Sequence, residues 1–152
     1  ILMAGEKIIQ LSPNSLNLFL ECPHCFWLDK RFGMKRPSPY PYSLNSAVDD
    51  LLKDEFDDYR KKNFPHPLLE KNNIKGKLFS SQRQINQWRT NSFGLRYYDK
   101  KLQATLYGIL DDALEFPNGK IAPFEYKSTG ENPGKVFDAF QLQMDTYAST
   151  AY

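Results

Sequence analysis

Pro117-Asn118-Gly119 sits between two apolar runs, residues 104–116 and 121–127. Asn-Gly between alternating hydrophobics is the strongest short-range signal for a β-hairpin, so residues 104–128 are expected to fold back on themselves. The first strand ends in Gly108-Ile109-Leu110-Asp111-Asp112 and the second in Phe124-Glu125-Tyr126-Lys127. Alternate side chains of a strand share a face, so Glu125 and Lys127 project together. A two-residue turn at Asn118-Gly119 sets Asp112 opposite Glu125. A one-residue bulge sets Asp111 there instead, and Pro123, which has no N–H to give to a ladder, is tolerated at a bulge or edge. Either way, two carboxylates from neighbouring strands converge beside a lysine.

The rest of the chain reads as helix before the hairpin and helix after it. Over residues 12–33, Ser12 or Asn14 can cap, Leu16, Phe19, Leu20 and Phe26 recur at helical spacing, and Gly33 is a stop. Pro23 should end or kink that helix near Cys22. Pro37, Pro39 and Pro41 make residues 34–43 an extended connector. Residues 44–62 form the next helix, with Leu44, Val48, Leu51, Leu52, Phe56 and Tyr59 as its apolar stripe and Asp49, Asp50, Asp54, Glu55, Asp57 and Asp58 around it. Arg60, Lys61 and Lys62 close it and suit the negative end of its dipole. His66 lies between two prolines in a loop. Residues 129–135 are a loop, and a last helix from about residue 135 carries Val136, Phe140, Met144, Tyr147 and Ala151 on one stripe. No C-cap follows, so the natural fold is expected to continue past Tyr152.

A chain of 152 residues is one domain's worth, and a hydrophobic fraction of 41% with 25% charged residues is that of a globular protein. One domain over residues 1–152, of α/β class with a central mixed sheet flanked by helices, is the expectation. Net charge is +2, so partners must be read from the distribution of charge. Residues 71–103 carry Lys71, Lys75, Lys77, Arg83, Arg89, Arg96, Lys100 and Lys101 against one acid, Asp99, with Phe79, Trp88, Phe93, Tyr97 and Tyr98 interleaved. Such a stretch is either a solvated face over core aromatics or a phosphate-tracking surface with stacking platforms for nucleic acid. The only cysteines are Cys22 and Cys25, which excludes a disulfide scaffold. No apolar run nears the ~18 residues of a membrane span, and the first residues lack a signal-peptide pattern. A soluble cytoplasmic protein with no membrane partner is the default expectation.

Two carboxylates a few ångströms apart repel, and partial burial raises the cost. A hard divalent cation removes the conflict: Mg²⁺ takes one or two carboxylates, keeps waters and leaves room for a phosphate. Such a cation makes a bound water a better nucleophile and stabilises charge on phosphoryl oxygens, and a lysine on the same face offsets developing negative charge. Chemically this is a phosphodiester hydrolysis site. An ordinary exposed hairpin with a Glu/Lys pattern is the plainer alternative. No Ser/His/Asp or Cys/His nucleophile arrangement and no Gly-rich phosphate loop is present, so ATP use is not expected.

Gly108-x-x-Asp111, Glu125-x-Lys127 and Gln143-x-x-x-Tyr147, in that order, resemble the PD-(D/E)XK nuclease superfamily. The likeness is greatest to its RecB/AddB-like branch, which includes CRISPR-associated RecB-like exonucleases. Asn14-Ser15-Leu16-x-x-Phe19-x-x-Cys22-Pro23-x-x-Phe26, followed by Gly33, is similar to the S-x-L-x-x-Y/F-x-x-C-P-x-x-F opening of that branch. The resemblance implies a restriction-endonuclease-like core and a Mg²⁺- or Mn²⁺-dependent deoxyribonuclease, an exonuclease, acting in repair, recombination or defence. The DNA would be single-stranded or the ends of a duplex, and a helicase, recombination or CRISPR protein would be the partner. It makes Asp111 and Glu125 metal carboxylates, the Tyr126 carbonyl a further ligand and Lys127 the catalytic lysine. Gln143 and Tyr147 would line the site or steady the lysine. Asp49, in Ser46-Ala47-Val48-Asp49, stands where the branch often has a His or acidic ligand, with Asp50 an alternative and a solvated acidic face the plainer reading. Asp112 is expected to be an outer or surface acid. Lys30, Arg31, Lys35 and Arg36 would help hold the strand. Some members bind an iron–sulfur cluster through four cysteines, which this chain cannot supply. Cys22 is therefore expected to pack as a small hydrophobe and Cys25 to be a free thiol. A binding module that kept such a fold without turnover, or an unrelated protein-interaction domain, are the alternatives.

Overall fold

The computed structural model describes residues 8–37, 43–127 and 138–150. The prolines of the connector beyond Pro37, the loop 129–135, and Val136 and Ala151 of the last stripe lie outside the described residues. Among the described residues, six helices and six strands make an α/β arrangement. A short strand β1 (Ile9–Leu11) leads into α1 (Pro13–Glu21) and α2 (Pro23–Phe32). Ser12 caps α1: its Oγ accepts the Ser15 N–H, and Ser15 Oγ accepts the Ser12 N–H in return. The break at Pro23 falls where the sequence puts it. Cys22 is extended, and Pro23 is the first residue of α2, where a missing N–H costs nothing. Gly33 ends α2 at φ +69°, with its N–H donating to the Asp29 carbonyl and the Met34 N–H to the Leu28 carbonyl.

Helix α3 (Ser43–Lys62) inserts Phe56, fully buried, into a core of Leu69, Leu78, Leu114 and Tyr126. Burying a phenylalanine in this way contributes roughly 1.5–3 kcal/mol. Leu51, expected on the buried stripe, instead points outward and is 68% exposed. His66 lies in the loop between its two prolines, as the sequence places it. It is buried, stacks on the Phe56 ring at a centroid distance of 3.8 Å, and caps α4 (Pro67–Lys71) through Nδ1, which accepts the Leu68 N–H.

The strands form two three-stranded sheets. In one, β4 (Ala104–Gly108) lies between β1, parallel to it, and β3 (Leu95–Asp99), antiparallel. In the other, β5 (Asp112–Glu115) lies between β2 (Lys77–Leu78) and β6 (Ile121–Phe124), both antiparallel. The apolar run 104–116 is therefore two strands rather than one. The chain turns off the first sheet at Ile109–Asp111, where the Leu110 N–H donates to the Trp88 carbonyl at the end of α5 (Gln82–Trp88). In place of the single central mixed sheet expected, the described residues form two small sheets; the first is mixed, and the hairpin belongs to the second. A second core gathers Ile85, Leu95, Leu110, Ala113 and Tyr147, with Phe79, Trp88 and Met144 against it. Helix α6 (Asp138–Thr150) closes this side, packing on β3, β4 and β6.

The hairpin loop holds three residues, Pro117–Gly119. Phe116 N–H donates to the Lys120 carbonyl, Gly119 N–H to the Phe116 carbonyl, and Gly119 sits at φ +77°. This left-handed third residue is the bulge form of the turn. Asp112 consequently pairs with Phe124, and the same register carried one step further sets Asp111 level with Glu125.

Candidate active site

Asp111 and Glu125 meet at the open end of the hairpin, one residue beyond the paired ends of β5 and β6. Asp111 Oδ2 accepts the Tyr126 N–H at 3.3 Å. Glu125 Oε1 accepts from Lys127 Nζ at 3.0 Å and from Gln143 Nε2 at 2.7 Å. Gln143 Nε2 also donates to Tyr147 Oη at 2.8 Å. Residues drawn from two strand ends and one helix face thus converge on a single carboxylate. Glu125 Oε2 is buried and has no hydrogen-bond partner. Burial, and then the charge of Asp111, push the Glu125 carboxyl up to about 7, with Lys127 pulling the other way.

Tyr147 belongs to the core by its ring and to the Glu125 cluster through the partner of its hydroxyl. Its ring is 4% exposed and part of the second core, while its hydroxyl faces Gln143. Burial is the largest cause pushing that hydroxyl up to about 12. The ring lies so close to Gly108 that a Cβ there would overlap it, which gives the glycine of Gly108-x-x-Asp111 a steric reason.

Asp49 reaches the same place from α3 through a lysine. Lys53 Nζ lies 2.6 Å from Asp49 Oδ2 and 3.2 Å from Asp111 Oδ1. Burial alone would lower the Lys53 pKa, and the two carboxylates outweigh it and raise it. Asp50, the alternative to Asp49, is exposed. Lys53 is a site residue that sequence reasoning missed. The signal available for it was its i+4 spacing from Asp49 on an acidic helix.

Asp112 is not a surface acid; it takes the other place expected for it, behind the pair that Asp111 and Glu125 form. It is fully buried, paired with Arg60, and accepts the Tyr126 hydroxyl at 2.7 Å. Arg60, read as a helix-end charge, has a side chain only 2% exposed. Arg89, counted among the phosphate-tracking cations, is turned inward. Its Nη1 is 2.8 Å from Asp57 Oδ2 and its Nε donates to the Asp111 carbonyl at 2.6 Å. Gln82 completes this ion network through Asp57. The network fixes the backbone of Asp111, and it leaves the Tyr126 side chain pointing into the core. Phe79 and Trp88 are likewise core aromatics, 5.3 Å apart. Arg96, Lys100, Lys101, Phe93, Tyr97 and Tyr98 remain exposed. Lys30, Arg31, Lys35 and Arg36 line a groove beside β1, α1 and α2, of about 1120 Å³.

Cys22 does more than pack. Its Sγ accepts the Cys25 N–H at 3.2 Å as the cap of α2, and both thiols are free and half-buried.

Among the described residues no group of three or more His, Cys, Asp or Glu side chains is arranged to hold a metal ion. Mg²⁺ asks for only one or two carboxylates, and Asp111 with the unpartnered Oε2 of Glu125 fits that smaller demand. Among the described residues no helix is long and apolar enough to cross a membrane. Comparison with protein-family models, curated proteins and solved structures finds no match for this chain.

Proposed function

We propose that this chain is a metal-dependent deoxyribonuclease with a restriction-endonuclease-like core, related to the RecB/AddB-like branch of the PD-(D/E)XK nucleases. One observation carries the reading. Asp111 and Glu125 are level at the hairpin's open end, and Lys127 and Gln143 both bond Glu125. Asp111 and Glu125 would hold Mg²⁺ or Mn²⁺, with the Tyr126 carbonyl and Asp49 as further ligands. When bound, the ion would supply a more acidic water and positive charge for the phosphoryl oxygens. Lys127 would steady the attacking water and offset charge on the phosphate. Gln143, braced by Tyr147, would hold Glu125 in one rotamer. The exposed cations and aromatics of residues 93–101, and Arg31 and Lys35, would contact the strand by charge and stacking. The context would be repair, recombination or defence, beside a helicase, recombination or CRISPR partner.

One feature favours a second reading, a DNA-binding module without turnover. Lys53 already neutralises Asp49 and Asp111. Cleavage of end-labelled single- and double-stranded DNA with Mn²⁺ or Mg²⁺, set against EDTA and Lys127→Ala, separates the two. Metal-dependent cutting that Lys127→Ala abolishes supports the nuclease. Salt-sensitive binding without cutting supports the binding module. Neither cutting nor binding ends both.

A further inference from the structure

Cys22 is the joint between α1 and α2. It closes the first helix, its N–H donating to the Leu18 carbonyl, and caps the second through sulfur. Cys25 stands one turn into α2. The N-cap and third positions of a helix have Cα atoms roughly 5–6 Å apart, the usual span of a disulfide. Both side chains are partly open to solvent. A cation from another part of the chain lies beside them. The turn after Gly33 brings Arg36 back to the joint, where its Nη1 pairs with Glu21, the last residue of α1, at 2.8 Å.

We propose that Cys22 and Cys25 form a thiol–disulfide exchange site, with Cys22 attacking, Cys25 resolving, and low-molecular-weight disulfides as the oxidising substrates. The thiolate is the nucleophile in such exchange, and a helix N-terminus and a neighbouring arginine stabilise it. The Cys22 thiol is held below its usual value first by its hydrogen bonds with Cys25, the thiol and then the N–H, with Arg36 adding to them. Cys22 Sγ attacks one sulfur of the incoming disulfide, forms a mixed disulfide and releases one thiolate. Cys25 loses its proton to solvent and attacks Cys22 Sγ, closing the Cys22–Cys25 bond and releasing the second thiolate. Two electrons pass to the substrate, which leaves as two thiols. Nothing in this step uses Asp111 or Glu125, so it stands or falls apart from the nuclease reading.

The test is to treat the reduced protein with oxidised glutathione and follow intact mass and free thiols. Serine is a good helix cap, so Cys22→Ser and Cys25→Ser keep α2 intact. The wild type should lose two hydrogens and carry no adduct, reversed by dithiothreitol. Cys25→Ser should trap one glutathione on Cys22. Cys22→Ser should react at least about tenfold more slowly. A wild type that stays reduced, or that accumulates stable adducts, overturns the proposal. Equal rates for the two serine variants also overturn it.

Discussion

Tyr126 Oη donates to Asp112 Oδ2 at 2.7 Å. The residue between Glu125 and Lys127 is thereby tied to the residue after Asp111, and each of these tied side chains points away from the pair beside it. Tyr126→Phe removes the donor and leaves that oxygen with Arg89 at 3.4 Å. Losing a buried partner of a charged group costs about 1–3 kcal/mol. Urea denaturation of the variant should show that loss with an unchanged slope.

Glu125 gives the metal-free protein a pH signature. Its carboxyl is raised from 4.5 to about 7 by burial and by Asp111. The folded state therefore binds more protons than the unfolded state between those values. The stabilising contribution is full below about 4.5 and is lost as pH rises through about 7, at up to ~1.4 kcal/mol per pH unit. Glu125→Gln should flatten this part of the stability profile and be relatively more stable at pH 8. Denaturant midpoints across pH 5–8, an approximate window, measure it.

Gly108 should tolerate no side chain. Gly108→Ala drives a methyl into the Tyr147 ring, and overpacking of this kind costs typically about 1–3 kcal/mol. Thermal unfolding should show the loss. Pairing it with Tyr147→Leu should recover part of it, because the two residues share one contact.

Lys53 competes for the place a divalent cation would take. Lys53→Met leaves Asp49 and Asp111 without their shared ammonium. Calorimetric titration with Mn²⁺ should then show binding tightened by about tenfold, equivalent to ~1.4 kcal/mol. Unchanged or weaker binding would count against a metal at these carboxylates.

The hairpin was legible because Asn-Gly and its flanking apolar runs are local signals, and so were the Pro23 break and the long acidic helix. The register was open at the level of sequence, since two-residue and three-residue turns both accept Asn-Gly. Only the φ of Gly119 decides that Asp111, not Asp112, faces Glu125. Lys53 and the Asp57–Arg60–Arg89–Asp112 network were not legible. Their side chains look like solvated charges one by one, and their burial depends on partners far along the chain. The same blindness hid α5 and β3, where the basic residues Arg83 and Arg96, with Arg89 just past the helix end, masked the inward positions of Ile85 and Leu95.

Strand β5 carries Ala113 into one core and Leu114 into the other. It is a party wall between two rooms, and Asp111 is mortared to its end. A defect in either room is transmitted to the carboxylate pair, so loosening of α3 around Phe56 or of α6 around Tyr147 should blur the site's geometry before the chain as a whole unfolds. Substitutions far from Glu125 but on either side of that wall thus become a way to tune the site without touching any residue in it.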